Sequence, residues 1–275
     1  MFRIHEDLCT GCGLCKRDCP SKTIRMVDGK ASAIPNAFCM ACGHCIAICP
    51  TGSAWLDELD MSEVIPGTLA ETALEPAPLL RAIKGRRSIR RFGTQGVERA
   101  KIEQMIEAGR FTPTSGNCQT VSYVVIEKDV KAFTKLAIEG LLHLGEKTLA
   151  AADEHTNALT LRYAKLFLYM HKKYTESNGS IDGLFFNAPA VLVLVGNNAV
   201  DAGMAASNLE LMAYAQGLGL VFSGFLVQAI ANDQPLRDYL GIPKGMRALV
   251  GLALGYPDVN YLRSVPRRKA VISYK

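Results

Sequence analysis

The sequence predicts an α+β protein with two domains, a small cysteine-rich one and a larger one of few strands and many helices. Eight of its nine cysteines lie within the first 50 of 275 residues. A stretch rich in proline and glycine, residues 57–78, follows them and reads as a linker. Beyond it, three short apolar segments of strand character alternate with longer segments of helical periodicity. The predicted domains are therefore residues 1–56 and 79–275.

The cysteines form two copies of one motif, thirty residues apart. Each copy reads C-x2-C-x2-C-x3-C-P and ends at Pro20 or Pro50. This spacing is typical of two iron–sulfur clusters held by thiolates, in which the fourth cysteine of each run ligates the other cluster. The sequence therefore predicts two [4Fe–4S] clusters. Their predicted ligands are Cys9, Cys12, Cys15 and Cys49 for the first cluster, and Cys39, Cys42, Cys45 and Cys19 for the second.

Structural zinc and disulfides are the alternatives for these cysteines. Zinc sites use paired C-x2-C knuckles, and a third cysteine followed by x3-C-P does not match that pattern. Disulfides need an oxidising compartment, whereas the N-terminus shows neither an apolar signal segment nor an arginine-rich transit pattern. No uninterrupted apolar stretch is long enough to span a membrane. We therefore expect clusters, a cytoplasmic location and no membrane partner.

The charge is divided unevenly along the chain. Residues 1–60 carry six Lys or Arg against seven Asp or Glu, whereas the remaining residues carry 25 against 19. Seven of these later cations form two short clusters, residues 86–91 and 267–269. Clustered arginines beside serine and glycine indicate a phosphate pocket. Nucleic acid is a less favoured partner, because no recognition helix or aromatic stacking pattern accompanies the charge.

The larger domain is predicted to follow a fixed order of elements. Helical periodicity is seen at 79–85 and 98–109, and a strand at 121–126. Helices without strand signal fill 129–175, including a long one near 157–174. The remaining predictions are a buried strand at 188–196, a buried helix at 201–216, a sharp turn at 217–225 and a last strand at 248–256.

Two resemblances add to these expectations. Residues 1–56 resemble a two-cluster bacterial ferredoxin. Four later segments resemble the FMN-dependent nitroreductase family, over about residues 79–275. They are R-R-S-I-R-R-F (86–92), P-T-S-G-N-C-Q (113–119), A-P-A-V-L-V-L-V-G (188–196) and L-G-Y-P followed by P-R-R-K (254–257 and 266–269). The resemblance implies a nitroreductase-like FMN-binding fold, a central mixed sheet flanked by helices, behind a ferredoxin-like domain.

Residues that the resemblance assigns to FMN are numerous. A flavin phosphate and ribityl chain need converging cations and hydroxyls, which the segment 86–90 offers. The resemblance implies that the segment 113–119 reaches the FMN of the partner chain in a homodimer, and that backbone amides near 223 contact the flavin ring. In full, the predicted FMN-binding residues are Arg86, Arg87, Ser88, Arg90, Pro113, Thr114, Ser115, Asn117, Gln119, Ser223, Gly224, Arg267 and Lys269.

The expected function is that of a flavin oxidoreductase, in which the clusters relay electrons to FMN. The expected donor is reduced ferredoxin or NAD(P)H, and the acceptor is a small molecule such as a nitroaromatic, a quinone or an activated alkene. No catalytic dyad is predicted among the side chains, because a flavin carries the chemistry itself. Two alternatives stay open: an enone reductase or reductive dehalogenase on the same fold, and a non-catalytic electron carrier or redox sensor.

Overall fold

The computed structural model describes residues 1–68 and 70–275, and it divides them into two compact units. The cluster unit contains Met1–Leu74 and the short segment Thr114–Cys118, and the larger unit contains Glu75–Pro113 and Gln119–Lys275. The first division falls inside the predicted linker, of which Leu69 lies outside the described residues. The assignment of 114–118 to the cluster unit could not be expected from its position in the sequence.

The cluster unit repeats one small motif. Strand β1 (Phe2–Ile4) pairs antiparallel with β4 (Ala54–Leu56), and β2 (Ile24–Val27) pairs antiparallel with β3 (Lys30–Ala33). The cysteine loops lead into two short helices, α1 (Leu14–Asp18) and α2 (His44–Ala47). Phe2, Ile24 and Leu56 are buried between these elements together with Cys9 and Cys45, and four further cysteines are partly buried against them. Most of the interior of this unit is therefore formed by the thiols and a few apolar strand residues.

The larger unit is built on a sheet that, within the described residues, has four strands in the order β5-β6-β8-β7. These strands are β5 (Ser122–Ile126), β6 (Ala190–Gly196), β7 (Gly219–Phe222) and β8 (Arg247–Gly255). All three strand pairs are antiparallel. An isolated parallel bridge between Ser88 and Leu220 extends the sheet beyond β7 and makes it mixed. This sheet with helices around it confirms the predicted α+β architecture.

Seven helices of the described residues pack around that sheet. They are α3 (Pro76–Gly85), α4 (Arg99–Arg110), α5 (Val130–Ala150), α6 (Ala158–Glu176), α7 (Ala199–Ala215), α8 (Gly224–Asn232) and α9 (Gln234–Tyr239).

Strand β6 shows how the helices form two layers. All seven of its residues are buried. Val191, Val193 and Val195 pack with residues of α5, α6, α8 and α9, whereas the alternate residues Leu192 and Leu194 pack with residues of α4 and α7. Side chains alternate between the faces of a strand, so a continuous apolar run is what a strand covered on both faces requires.

The structure corrects one predicted element. The segment 217–225, predicted as a sharp turn, contains β7, the following residue Ser223 and the start of α8. The four-residue strand β7 has little local signal of its own. It is held by pairing with β8 and by a hydrogen bond from the Ile89 amide to the Leu220 carbonyl, 3.0 Å long. The other predicted helices and strands are present, and their observed ends differ from the predicted ones by a few residues.

Candidate cluster and cofactor sites

Two cavities of the cluster unit are lined by cysteines. The first cysteine cavity is lined by Cys9, Cys12, Cys15 and Cys49, and the second by Cys19, Cys39, Cys42 and Cys45. Each cavity thus gathers three cysteines of one motif and the last cysteine of the other. The two groups are the predicted ligand sets of the two clusters. Four thiols around one cavity fit a cube in which each iron takes one protein thiolate.

The same geometry bears on the zinc alternative. Among the described residues, no group of three or more His, Cys, Asp or Glu is arranged so that it could hold a single metal ion. Tetrahedral zinc requires its protein ligands to converge on one point. Each cavity instead takes three cysteines from one C-x2-C-x2-C-x3-C-P motif and the last cysteine from the other, which is the ligand pattern of paired four-iron clusters. The donor set of each cavity therefore fits a four-iron cluster better than zinc.

Glycines shape both cysteine loops. Gly13 and Gly43 precede α1 and α2 with φ angles of 69° and 76°, in the left-handed region that glycine adopts without steric cost. Gly11 has a φ of 70°, and the carbonyl oxygen of Gly29 occupies the space that a Cβ would need. The corresponding residue of the second loop is Ala41, at φ 50°. A side chain at position 11 would therefore collide with the turn that contains Gly29, and the first loop packs closely against that turn.

A hydroxyl lies beside the fourth cysteine of each motif. Thr23 Oγ1 is 3.4 Å from Cys19 Sγ, and Ser53 Oγ is 3.4 Å from Cys49 Sγ. Burial opposes ionisation of Cys49, but hydrogen bonds from Ser53 and Thr51 outweigh it and lower the pKa of this thiol to about 6. A lowered pKa favours the thiolate, which is the form that binds metal.

Cys45 has the opposite environment. It lies in α2 and is buried, and its burial raises the pKa of the thiol to about 11. Deprotonation of this cysteine therefore has to be driven by the metal it binds, because ligation and loss of the thiol proton are coupled.

A third cavity, of about 270 Å³, lies in the larger unit, and we call it the aromatic cavity. It brings together Arg90, Ser223 and Gly224, three of the predicted FMN-binding residues. The other lining residues are Tyr163, Gly183, Leu184, Phe186, Val221, Phe222, Phe225 and Gln228. Aromatic and aliphatic side chains interspersed with polar groups are typical of the lining of a cofactor or small-molecule site.

The turn from β7 to α8 forms one wall of the aromatic cavity. Ser223 caps the helix, because its hydroxyl accepts a hydrogen bond from the Leu226 amide. Its own amide donates to the Gly251 carbonyl at 2.8 Å and is therefore engaged within the protein. The first amides of a helix, beginning here at Gly224, have no partner within the helix. Of the two backbone amides expected to face the flavin ring, that of Ser223 is engaged within the protein, and the role of the Gly224 amide stays a prediction.

The loop after α6 forms the opposite wall. Asp182 is buried and accepts hydrogen bonds from the amides of Leu184, Phe185 and Asn187, at 2.8, 2.9 and 3.0 Å. These bonds hold the loop in place, including Phe186 in a left-handed conformation. Charge-assisted hydrogen bonds are among the stronger ones in proteins. Asp182 therefore fixes the position of a cavity wall without lining the cavity.

The basic residues next to α3 have separate environments. Arg86 forms a 2.5 Å ion pair with Glu210, whose side chain is only 9% exposed. Arg87 donates through Nη1 to the carbonyls of Lys84 and Arg86, whereas its buried Nη2 has no hydrogen-bond partner among the described residues. Such an atom is suited to an anionic ligand, because an unpaired buried donor is costly. Ser88 lies beside them in its bridge to Leu220.

The segment 113–119 is divided between the units. Pro113 and Gln119 belong to the larger unit, and Thr114, Ser115 and Asn117 belong to the cluster unit. Within the cluster unit, the Asn117 amide donates to the carbonyls of Met40 and Ala41, at 3.1 and 3.0 Å. The structure thus places Asn117 on the loop of the second cysteine cavity. Contact of this segment with the FMN of a partner chain stays a prediction.

The C-terminal candidates lie apart from any cavity described above. Arg267 and Lys269 are exposed in a segment without helix or strand. They line none of the three cavities described above, and their role at the FMN phosphate stays a prediction.

Several lining residues were not predicted from the sequence. Tyr163 contacts the edge of Phe225 at a ring separation of 5.4 Å, and Arg90 lies 5.9 Å from the centre of the Phe186 ring. The aromatic-rich pattern of α6 was the one available signal, and it predicts burial rather than a cavity wall. Lys30, whose Nζ donates to the Cys9 carbonyl, was also missed because an isolated lysine carries no motif.

The family comparisons describe both parts of the chain. Residues 83–256 match the family model of the nitroreductase family, and residues 1–50 match that of the 4Fe-4S dicluster domain. In the part of the chain that the structure describes, no helix combines the length and apolar character that crossing a membrane needs.

The curated relatives are distant ones. An NADPH-dependent oxidoreductase of Staphylococcus saprophyticus is 27% identical over 179 residues, which cover 64% of this chain and 63% of the relative. An NADPH-flavin oxidoreductase of Vibrio harveyi is 28% identical over 181 residues, which cover 66% of each chain. The chain therefore spans slightly less than two thirds of the length of either relative.

Solved structures are similar in fold. A nitroreductase with bound FMN from Desulfitobacterium hafniense has a TM-score of 0.51 at 19% identity, covering 71% of this chain and 97% of that one. A BluB-like flavoprotein from Clostridium difficile has a TM-score of 0.54 at 20% identity, covering 72% and 96%. At these identities the likeness shows a common fold.

Proposed function

Because the chain belongs to the nitroreductase family and carries an N-terminal 4Fe-4S dicluster domain, we propose that it is an FMN-dependent oxidoreductase. Its two [4Fe–4S] clusters supply electrons to the flavin, which reduces a small acceptor. The observation that carries the proposal is the gathering of each predicted set of four cysteines around its own cavity. The proposal also follows the predicted division into a cluster domain, a linker and a flavin domain.

The aromatic cavity has the features that a flavin needs. Apart from its chain neighbours and the backbone of its own helix, no atom of the described residues lies within 4 Å of the position that a Cβ would take on Gly224, so a planar ring can approach this backbone closely. The amides of Gly224 and Phe225 have no partner within α8, and they can donate to polar atoms of a ring edge. Arg90 lines the cavity, and the unpaired Nη2 of Arg87 is available for an anion. These residues support FMN as the cofactor.

The side chains of this protein have supporting tasks. A bound flavin supplies two-electron and one-electron chemistry, and clusters supply single electrons. Ser223 holds the first turn of α8 in place, and Asp182 holds the loop that carries Phe186. Tyr163 and Phe225 exclude water from the apolar side of the cavity. The chain thus binds and orients the reactants without needing an acid–base dyad.

The cavity wall favours planar acceptors. Tyr163, Phe186, Phe222 and Phe225 present aromatic surface, and Gln228 adds a polar group. Aromatic rings pack well against flat conjugated molecules. A nitroaromatic, a quinone or an activated alkene fits this description, and so would the substrate of an enone reductase. The acceptor class is therefore part of the proposal and of its test.

The proposed enzyme is a homodimer. Helix α7 is apolar nearly all round, yet Val200 and Met204 are 68% and 39% exposed on it. Tyr214 at its end is 43% exposed. Large apolar side chains grouped on one helix are typical of a subunit interface. In a homodimer, the segment 113–119 of the second copy would also reach toward the flavin of the first, as the family resemblance implies.

We expect Arg90→Ala to weaken FMN binding. Arg90 is the charged side chain that lines the aromatic cavity, and loss of a hydrogen bond to a charged group costs about 1.5–3 kcal/mol. That free energy corresponds to roughly a tenfold to hundredfold increase in the FMN dissociation constant. Fluorescence titration of flavin-free protein with FMN measures the change.

Arg91→Ala is the matched control. Arg91 is the adjacent arginine, is exposed and faces Asp258 at 3.5 Å instead of the cavity. Its removal is expected to leave the dissociation constant within about twofold of the original, because exposed ion pairs contribute little. Equal weakening by both substitutions would show that net charge, rather than the Arg90 position, governs FMN binding.

Turnover tests the proposed function as a whole. The protein, purified without oxygen, is supplied with reduced ferredoxin or with NADPH and offered a panel of nitroaromatics, quinones and enones. We expect steady consumption of at least one acceptor with ferredoxin as donor. The names of the relatives motivate NADPH as the second donor. Absence of turnover with every combination, in protein that holds iron and FMN, would favour the electron carrier over the enzyme.

A further inference from the structure

The backbone carbonyls of the two cysteine loops accept hydrogen bonds from different kinds of side chain. At the first cavity, Lys30 Nζ donates to the carbonyls of Cys9 and Glu6, at 2.5 and 2.9 Å. At the second, the donor to the loop carbonyls is the amide of Asn117. One loop is therefore held by a full positive charge and the other by a neutral dipole.

The internal repeat shows that this difference is not imposed by the fold. A shift of thirty residues maps Cys9 onto Cys39 and Thr23 onto Ser53, and the hydroxyl contacts of the two halves correspond. The same shift maps Lys30 onto Asp60. The Asp60 carboxylate is bonded instead to the amide and hydroxyl of Ser62, at 2.9 and 2.7 Å. The second half thus has no counterpart of the Lys30 cation at this position.

Other charged groups also make the surroundings of the first cavity more positive than those of the second. Asp18 lies 3.1 Å from His44, which lines the second cavity, so a carboxylate stands near that cavity. At the first cavity, the Lys30 ammonium group lies within hydrogen-bond distance of the backbone of Cys9, one of the lining cysteines. A cation at this position stabilises negative charge in the first cavity.

We infer that Lys30 holds the first cluster at a higher reduction potential than the second, so that the first cluster is the first of the two to be reduced. The inference rests on the proposed presence of both clusters. Each cluster gains one electron from a reductant and becomes more negative by one charge, with no atom transferred. A nearby cation stabilises the reduced state more than the oxidised state. Net charge and hydrogen bonding around a cluster are known means of setting its potential.

Redox titration tests this inference. The full-length holoprotein is reduced stepwise with dithionite without oxygen, and each reduced cluster is followed by electron paramagnetic resonance. Cys12→Ala and Cys42→Ala, which each lack a ligand of one cluster, assign the signals. In the unsubstituted protein, the ratio of reduced to oxidised form at a given potential should be at least about tenfold higher for the first cluster than for the second. This factor corresponds to reduction potentials about 59 mV apart for a one-electron couple.

The lysine variants identify the cause. Lys30→Gln should narrow the difference between the reduction potentials of the two clusters, whereas Lys30→Arg, which keeps the charge, should preserve this difference. Arg25→Gln is the matched control, because Arg25 is an exposed cation of the same unit that lines neither cysteine cavity. Iron content is measured for each variant, so that loss of a cluster is not mistaken for a shift of its potential.

Four results would overturn the inference: equal potentials in the unsubstituted protein, a higher potential at the second cluster, levelled potentials in Lys30→Arg, or an unchanged separation in a Lys30→Gln protein that retains both clusters. The first two need no lysine variant and hold even if Lys30→Gln fails to retain its cluster. A protein that gives no cluster signal after reduction would instead refute the proposed function.

Discussion

Replacing Cys9 with alanine is expected to lower the iron content from about eight to about four atoms per chain, because four thiolates are needed to hold one [4Fe–4S] cluster. Cys9 lines the first cysteine cavity with Cys12, Cys15 and Cys49, and no cysteine of the second cavity lines this one. The second cluster should therefore remain. Iron and sulfide analysis of protein purified without oxygen measures the loss. Turnover with reduced ferredoxin as donor should fall with it.

Cys118→Ala is the control for the iron measurement. Cys118 is the ninth cysteine, is exposed and lies outside both motifs. Its replacement should leave about eight iron atoms per chain. Cys39→Ala should resemble Cys9→Ala, and the double variant should lose nearly all iron. An iron content that stays near eight in Cys9→Ala would contradict the proposed ligand sets.

The second large effect is expected at the ion pair between Arg86 and Glu210. The Glu210 side chain is 9% exposed and that of Arg86 is 34% exposed. Arg86→Ala would leave the carboxylate buried without its cation. Breaking a buried pair in this way typically costs about 3–5 kcal/mol, and the partial exposure of Arg86 places our expectation near 3 kcal/mol. Urea unfolding of flavin-free protein measures the change in the free energy of unfolding.

Two variants complete this test. Replacing both partners, as Arg86→Met with Glu210→Leu, should recover most of the lost stability, because no buried charge then remains unpaired. Arg110→Ala, which removes the exposed partner of Glu107, should cost no more than about 1 kcal/mol. If Arg86→Ala left stability unchanged and only weakened FMN binding, the flavin phosphate rather than Glu210 would be the main partner of Arg86.

The cluster unit was largely predictable from the sequence. The spacing of the eight cysteines indicates two clusters, with the last cysteine of each motif binding the other cluster. The structure places Cys49 and Cys19 at the expected cavities. The reason is physical, since metal ligation restricts which spacings can close around one cube. Charges such as Lys30 follow no comparable rule, so their positions had to come from the structure.

In the larger unit, the helices and strands were more predictable from the sequence than the aromatic cavity was. Strand β6 and helices α4 to α7 have strong periodicity or continuous apolar runs. Strand β7 has four residues, and its existence depends on pairing with β8, which is distant in sequence. The aromatic cavity likewise joins residues from β7, α6 and two loops. Local patterns do not encode such long-range contacts.

Polar residues of the larger unit illustrate the same limit. Glu210 appeared in the sequence only as an interruption of an apolar helix, and the structure shows it as the partner of Arg86. Asn117 is predicted to reach the flavin of a partner chain, and within its own chain its side-chain amide binds the carbonyls of Met40 and Ala41. In both cases the residue type indicated a polar contact, whereas the identity of its partner depended on tertiary structure.

Transfer of electrons from the clusters to the flavin is the central claim, and a single rapid-mixing measurement tests it most directly. Reduced ferredoxin is mixed without oxygen with the unsubstituted protein or with Cys9→Ala/Cys39→Ala, both loaded with FMN, and the loss of flavin absorbance is followed. We expect prompt loss in the unsubstituted protein and at least about a hundredfold slower loss in the double variant, a difference of roughly 2.7 kcal/mol in activation free energy. Equal rates in the two proteins would contradict the claim, because the flavin would then receive its electrons without the clusters.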